Sequence, residues 1–221
     1  MLIWTHLTEG DAVSRLVALV LLAMSVASWV VIVWQCRVHW GAHRTLEAAI
    51  ALFWSSADAQ QARARLMATD PHRWVLPLVE LALDERTPAQ GLAGWGSAEQ
   101  RLTRGLRDVL DHAQRRLLFG QVLLASVGAT APFVGLLGTV WGVYGALVGL
   151  AADGPLVMSQ VSGPVGEALV MTAAGLAVAL PAVLAYNTFG RLAAQVQGRL
   201  DALAHDLLGL AQTARGHAPG A

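Results

Sequence analysis

Glu167 is preceded by 13 uncharged residues (154–166) and followed by 23 more (168–190). An ionised acid at the centre of a membrane helix costs about 2.5–3.5 kcal/mol on insertion scales, and residues kept at that cost handle ions or protons. A carboxyl in such a place takes up and releases a proton once water or a polar partner reaches it. Two hydroxyls accompany it, Thr139 and Thr172. Thr172 is five residues after Glu167, about 140° further round an ideal helix, so the pair shares no single face. Both could still border one aqueous seam between helices. Competing readings exist for each residue. If Pro155 and Pro164 start the helix late, Glu167 is a first-turn acid favoured by the helix N-terminus. Each threonine can bond its own preceding turn.

Other candidates are weaker. His39 and His43 stand at i, i+4 and could offer two metal ligands on one face, but no third ligand is near. They read as interfacial histidines, and no metal site is expected. The glycines of 135–149 fit neither the phosphate-binding loop nor the dinucleotide fingerprint, since no Gly-Lys-Ser/Thr follows them. Ser126 and Ser159 lack a nucleophile-elbow context. Cys36, the only cysteine, excludes a disulfide within one chain and reads as a small apolar filler. No catalytic residue and no cofactor are assigned, and the chain is not read as an enzyme.

The elements that position these residues follow from charge and hydropathy. Only 14% of the 221 residues are charged and 55% are hydrophobic, against about 25% charged in soluble domains. Three stretches carry no charge: 16–36, 117–152 and 168–190. A bilayer needs about 20 apolar residues per helical span, and a soluble chain this short would have to bury all three at once. The class is all-α: a polytopic membrane protein with three transmembrane helices and a helical cytoplasmic domain extending from them. The first run is too long for a signal-peptide core, and Glu9 and Asp11 precede it where a signal peptide carries positive charge. Net charge is zero, so nucleic acid is not an expected partner; the lipid bilayer is.

All 15 cationic side chains are Arg: 11 lie from Arg37 to Arg116, three more are Arg191, Arg199 and Arg215, and one is Arg15. The positive-inside rule then places both Arg-bearing regions in the cytoplasm. The expected organisation is a periplasmic leader 1–13, spans at 14–36, 117–150 and 161–190, a cytoplasmic helical loop 37–116, a periplasmic connector 151–160 and a cytoplasmic tail 191–221. Trp29, Trp34 and Trp40 gather toward the inner end of span one, where indole rings favour the interface. In the loop, stretches 42–68 and 97–118 read as helices, broken by Pro71, Pro77 and Pro88, with a flexible turn at Gly91, Gly94 and Gly96 around Trp95. The helix from 97 is expected to run unbroken to 150.

Span two carries Gly128, Ala131, Gly135, Gly138, Gly142, Gly145 and Gly149 at spacings of 3, 4, 3, 4, 3 and 4. This puts a stripe of small residues on one helix face, where another helix can approach closely. Span three repeats the device with Ala168, Thr172, Gly175, Ala179 and Ala182. Both spans are expected to pack densely, with the contact between subunits.

The stretch Ala129-Thr-Ala-Pro-Phe-Val-Gly-Leu-Leu-Gly-Thr-Val-Trp-Gly142, followed by Gly166-Glu-Ala-Leu-Val-Met-Thr-Ala-Ala-Gly-Leu-Ala-Val-Ala-Leu-Pro-Ala-Val-Leu-Ala-Tyr-Asn187, resembles the paired signature of the MotA/TolQ/ExbB proton-channel family, most of all its ExbB branch. The 28 residues from Thr139 to Glu167 and the five to Thr172 also resemble the family's spacing. By that resemblance these three positions inherit proton-path roles. It further implies a Gram-negative inner-membrane energy transducer: a homo-oligomer of five chains surrounds two ExbD-like single-span helices, each bringing a membrane Asp. Proton flow would drive movement passed through a TonB-like protein to import of siderophores and vitamin B12. The outward segments are too short to reach another membrane, which fits a partner carrying the force. A TolQ-like subunit of the Tol-Pal envelope system is the nearest rival. A four-span flagellar stator, an independent solute channel and a non-conducting membrane scaffold are the remaining alternatives.

Overall fold

A computed structural model describes residues 12–83, 96–152 and 159–216. Among these residues every regular element is a helix: α1 (Ala12–Trp54), α2 (Ala59–Thr69), α3 (Leu76–Leu83), α4 (Ala98–Leu117), α5 (Gln121–Ala152) and α6 (Ser159–Gly216). Three apolar stretches long enough to cross a membrane lie within Ala12–Trp54, Ala98–Gly149 and Gly163–Thr213. The all-α class and the three candidate spans are therefore observed.

Two expected helices are interrupted. The stretch 42–68 divides because α1 ends at Trp54 and the Asp58 side chain caps α2, accepting from Gln61 N–H at 2.7 Å. Before that cap, the Ser56 hydroxyl donates to Leu52 O, a local bond that competes with helix continuation. The helix expected to run unbroken from 97 to 150 ends at Leu117, and α5 begins at Gln121. Gly120 adopts φ +79° at that break, a left-handed conformation that glycine enters without steric cost. Gln35 holds the break from α1: its Nε2 donates to Leu117 O at 3.1 Å and Phe119 O at 2.6 Å, pairing carbonyls that a helix end leaves open. The start of α4 is well signalled, since Ser97 and Gln100 form a reciprocal capping box. Pro71 follows α2, while Pro77 is tolerated in the first turn of α3. Pro88, Gly91, Gly94 and Trp95 lie outside the described residues, as do 1–11 of the leader, 153–158 of the connector and 217–221 of the tail.

The chain divides into two compact units. One comprises the described residues up to Trp34 together with Gly120–Thr188. It leaves large apolar side chains exposed, including Leu16, Val30, Phe133 and Leu184 at 61–70%. Contiguous apolar surface of this kind marks a membrane or partner face. The other unit comprises Gln35–Phe119 and the described residues from Phe189, and it has a conventional core. Leu46 of α1, Leu66 of α2, Leu78 and Val79 of α3, and Leu102 and Leu106 of α4 are buried together with Val196, Leu200, Leu203 and Leu207 of α6. Each fully buried leucine contributes about 1.5–3 kcal/mol. Residues from 191 onward, read above only as a tail, are thus a core helix. Their buried positions recur at three and four residues, a helical period already present in the sequence.

Cys36 is exposed, so it does not fill the core. His39 is buried at 4% exposure and His43 is exposed, so the two do not share an interfacial environment.

Candidate functional site

The helices α5 and α6 run antiparallel with their small residues in register. A Cβ built on Gly128 would meet Val183, one on Gly135 would lie 2.6 Å from Met171 O and 3.1 Å from Gly175 Cα, and one on Gly142 would lie 2.8 Å from Ala168 Cβ. From the other side, a Cβ on Gly175 would lie 2.6 Å from Ala131 O. Ala131, Ala168, Ala179 and Ala182 are buried along the same seam. At Gly138 a Cβ would meet Val17 of α1 and Met171. The stripe from Gly128 to Gly142 is thus occupied within one chain, not between subunits. Only its C-terminal end, Gly145 and Gly149, has nothing within 4 Å of an added Cβ. Two glycines facing each other let the backbones touch, a contact any side chain would prevent.

That approach places Thr139 beside Thr172. Their hydroxyls are hydrogen-bonded to one another, and Thr139 Oγ1 also donates to Gly135 O at 3.1 Å. A hydroxyl has one proton to give. With that of Thr139 committed to Gly135 O, the Thr172 hydroxyl is the donor between them. Thr139 therefore does bond its preceding turn, and it also accepts across the helices. No spacing rule within one helix could have joined residues 33 positions apart in sequence.

Glu167 lies eight residues inside α6, which begins at Ser159, so it is not a first-turn acid. Pro164 is accommodated within that helix. The carboxyl-bearing residue is exposed on the surface of the unit, next to Ala168, which is buried against Gly142. The site thus consists of a hydroxyl pair inside the α5–α6 seam and an acid at its outer surface. Among the described residues no group of three His, Cys, Asp or Glu side chains is arranged to hold a metal.

Fold and site together define a multi-pass helical membrane protein with a threonine hydroxyl pair and an acid set among its apolar helices. The family model of the MotA/TolQ/ExbB proton channels matches residues 81–202. The biopolymer transport protein ExbB of Xanthomonas campestris pv. campestris is 42% identical over 214 residues, covering 90% of this chain and 82% of that protein. ExbB of Neisseria meningitidis is 38% identical over 207 residues, covering 90% and 92%. The Tol-Pal system protein TolQ of Pseudomonas aeruginosa is 32% identical over 199 residues, covering 89% and 86%. The chain belongs to the MotA/TolQ/ExbB proton channel family.

Proposed function

We propose that the chain is an ExbB-like motor subunit of the bacterial inner membrane. With an ExbD-like single-span partner it converts proton motive force into work, delivered through a TonB-like protein to the import of siderophores and vitamin B12. The observation that carries this reading is the exposed Glu167 within an apolar helix, beside the seam that holds the Thr139–Thr172 pair. A carboxylate facing lipid is costly, and water together with a partner helix bearing its own polar group relieves that cost. The exposed apolar surface of the same unit and the open glycines Gly145 and Gly149 fit assembly into a homo-oligomer, a pentamer in this reading. The ExbB proteins at 42% and 38% identity favour the ExbB branch, and TolQ at 32% keeps the Tol-Pal system as the alternative.

Purification of the tagged chain from native membranes tests the reading. The expected product is five copies with a single-span protein that carries an Asp in its span and a TonB-like protein. Recovery of TolR and TolA instead would move the function to envelope integrity. A partnerless homo-oligomer that fully supports growth would leave only the scaffold.

The topology is a further expectation: N-terminus and 151–160 periplasmic, 37–116 and the residues after 190 cytoplasmic. In a Cys36→Ser background, needed because Cys36 is exposed, a membrane-impermeant thiol reagent added to intact cells should label Asp153→Cys and spare Gly94→Cys. Labelling of Gly94→Cys alone would invert the orientation.

A further inference from the structure

Helix α1 presents Gln35, His39, His43 and Glu47 at intervals of four residues, which stacks them along one face. Their burial falls steadily along that face. Gln35 is 0% and His39 4% exposed, His43 is exposed, and the Glu47 side chain is 61% exposed. The two buried members keep hydrogen-bonding capacity unused. Gln35 Nε2 is committed to Leu117 O and Phe119 O, but Gln35 Oε1 and both ring nitrogens of His39 have no partner among the described residues. The imidazole is held flat against Phe189 of α6, with ring centroids 5.5 Å apart and planes 7° from parallel.

Each unsatisfied buried polar group costs about 1–3 kcal/mol. For packing alone, an apolar side chain on Phe189 would avoid that cost. Beyond His39 the stripe enters a groove of about 460 Å³ lined by His39, His43, Glu47, Gln195 and Arg199. It has room for several waters beside its polar side chains.

We propose that this stripe is a proton-release lane, with the His39 imidazole as its relay. The proposal rests on the proton-channel reading above. A proton bonds to the bare ring nitrogen while the N–H on the other nitrogen passes its proton to water or to His43. The ring is neutral before and after, and rotation of the imidazole restores the starting tautomer. The charged and titratable groups that line the groove with it are His43 and Glu47 on α1 and Arg199 on α6. Glu47 and Arg199 are paired at 3.0 Å, so they shape the exit without adding a net charge. Burial holds the His39 pKa below its ordinary value, so the resting ring is neutral and its cation is transient, as a relay requires.

The test is proton flux into proteoliposomes containing the chain with its copurified partner. His39→Phe retains a ring to stack on Phe189, and His39→Ala opens the space. Both should assemble, with flux lowered about a hundredfold, the low end of what one positioned acid–base group contributes. Imidazole supplied on the cytoplasmic side should restore flux to His39→Ala, whereas pyrazole, of the same shape but a far weaker base, should not. His43→Gln should lose less, because water can replace an exposed relay. Wild-type flux in both His39 variants, with flux lost in Glu167→Gln, would overturn the lane and leave the channel. Equal rescue by pyrazole would also overturn it, by making the ring structural. Wild-type flux in Glu167→Gln as well would overturn the channel reading and the lane with it.

Discussion

Glu167→Gln should assemble at the wild-type level and lose proton-driven work. The substitution retains shape and hydrogen bonding and removes only the exchangeable proton. Glu167 is the only acid between Asp153 and Asp201, so no neighbouring carboxyl on this chain can replace it. Its exposure on the unit surface makes a folding defect from Gln unexpected, since the amide has the same shape and needs no new space. The measurements are growth under iron limitation with a siderophore as the iron source, and proton flux into proteoliposomes. Both should fall to the level of a strain or vesicle lacking the protein, and Glu167→Asp should retain partial function at best. Thr139→Val and Thr172→Val should impair coupling less uniformly. Each removes one hydroxyl of a bonded pair, and a water can take its place more easily than it can replace the only carboxyl. Full growth and unchanged flux in the Gln variant, at equal protein level, would reduce Glu167 to a surface acid and favour the scaffold.

The second large effect is expected at the glycine crossing. Gly135→Ala and Gly175→Ala should prevent accumulation of folded protein, because the first added carbon would already sit 2.6 Å from a backbone oxygen in each case. Real Cβ atoms do not approach that closely, and the obstacle is backbone, so no rotamer change relieves it. Overpacking costs about 1–3 kcal/mol where side chains can adjust, and separating two helices along the whole seam costs more. Gly145→Leu is the contrasting variant. With nothing within 4 Å of its added Cβ, the chain should fold, and any loss of the oligomer would report a neighbouring copy on that face. Size-exclusion profiles of detergent-solubilised membranes distinguish the two outcomes. A Gly135→Ala variant that accumulates and elutes as wild type would show that the seam is looser than the close approach implies.

Several features of this protein were legible in the order of its residues. The three uncharged runs determined the number of candidate spans, because the exclusion of charge from hydrocarbon is a property of composition and length alone. The Gly and Ala spacings determined which faces of α5 and α6 could approach another helix, since helical periodicity is local. Glu167, Thr139 and Thr172 stood out for the same reason, as rare polar groups in apolar surroundings.

Tertiary structure decided what no local period contains. A stripe of small residues states that a helix will be met, but not which one. The antiparallel register that brings Gly135 to Gly175 fills much of the stripe within one chain and joins Thr139 to Thr172. The break at 118–120 was hidden by the apolar residues around Gly120, and it is held by Gln35 from a distant part of the sequence. The burial of His39 against Phe189 likewise depends on two helices meeting. Hydropathy and periodicity are properties of one segment, whereas a contact is a property of two, and only folding selects the pair.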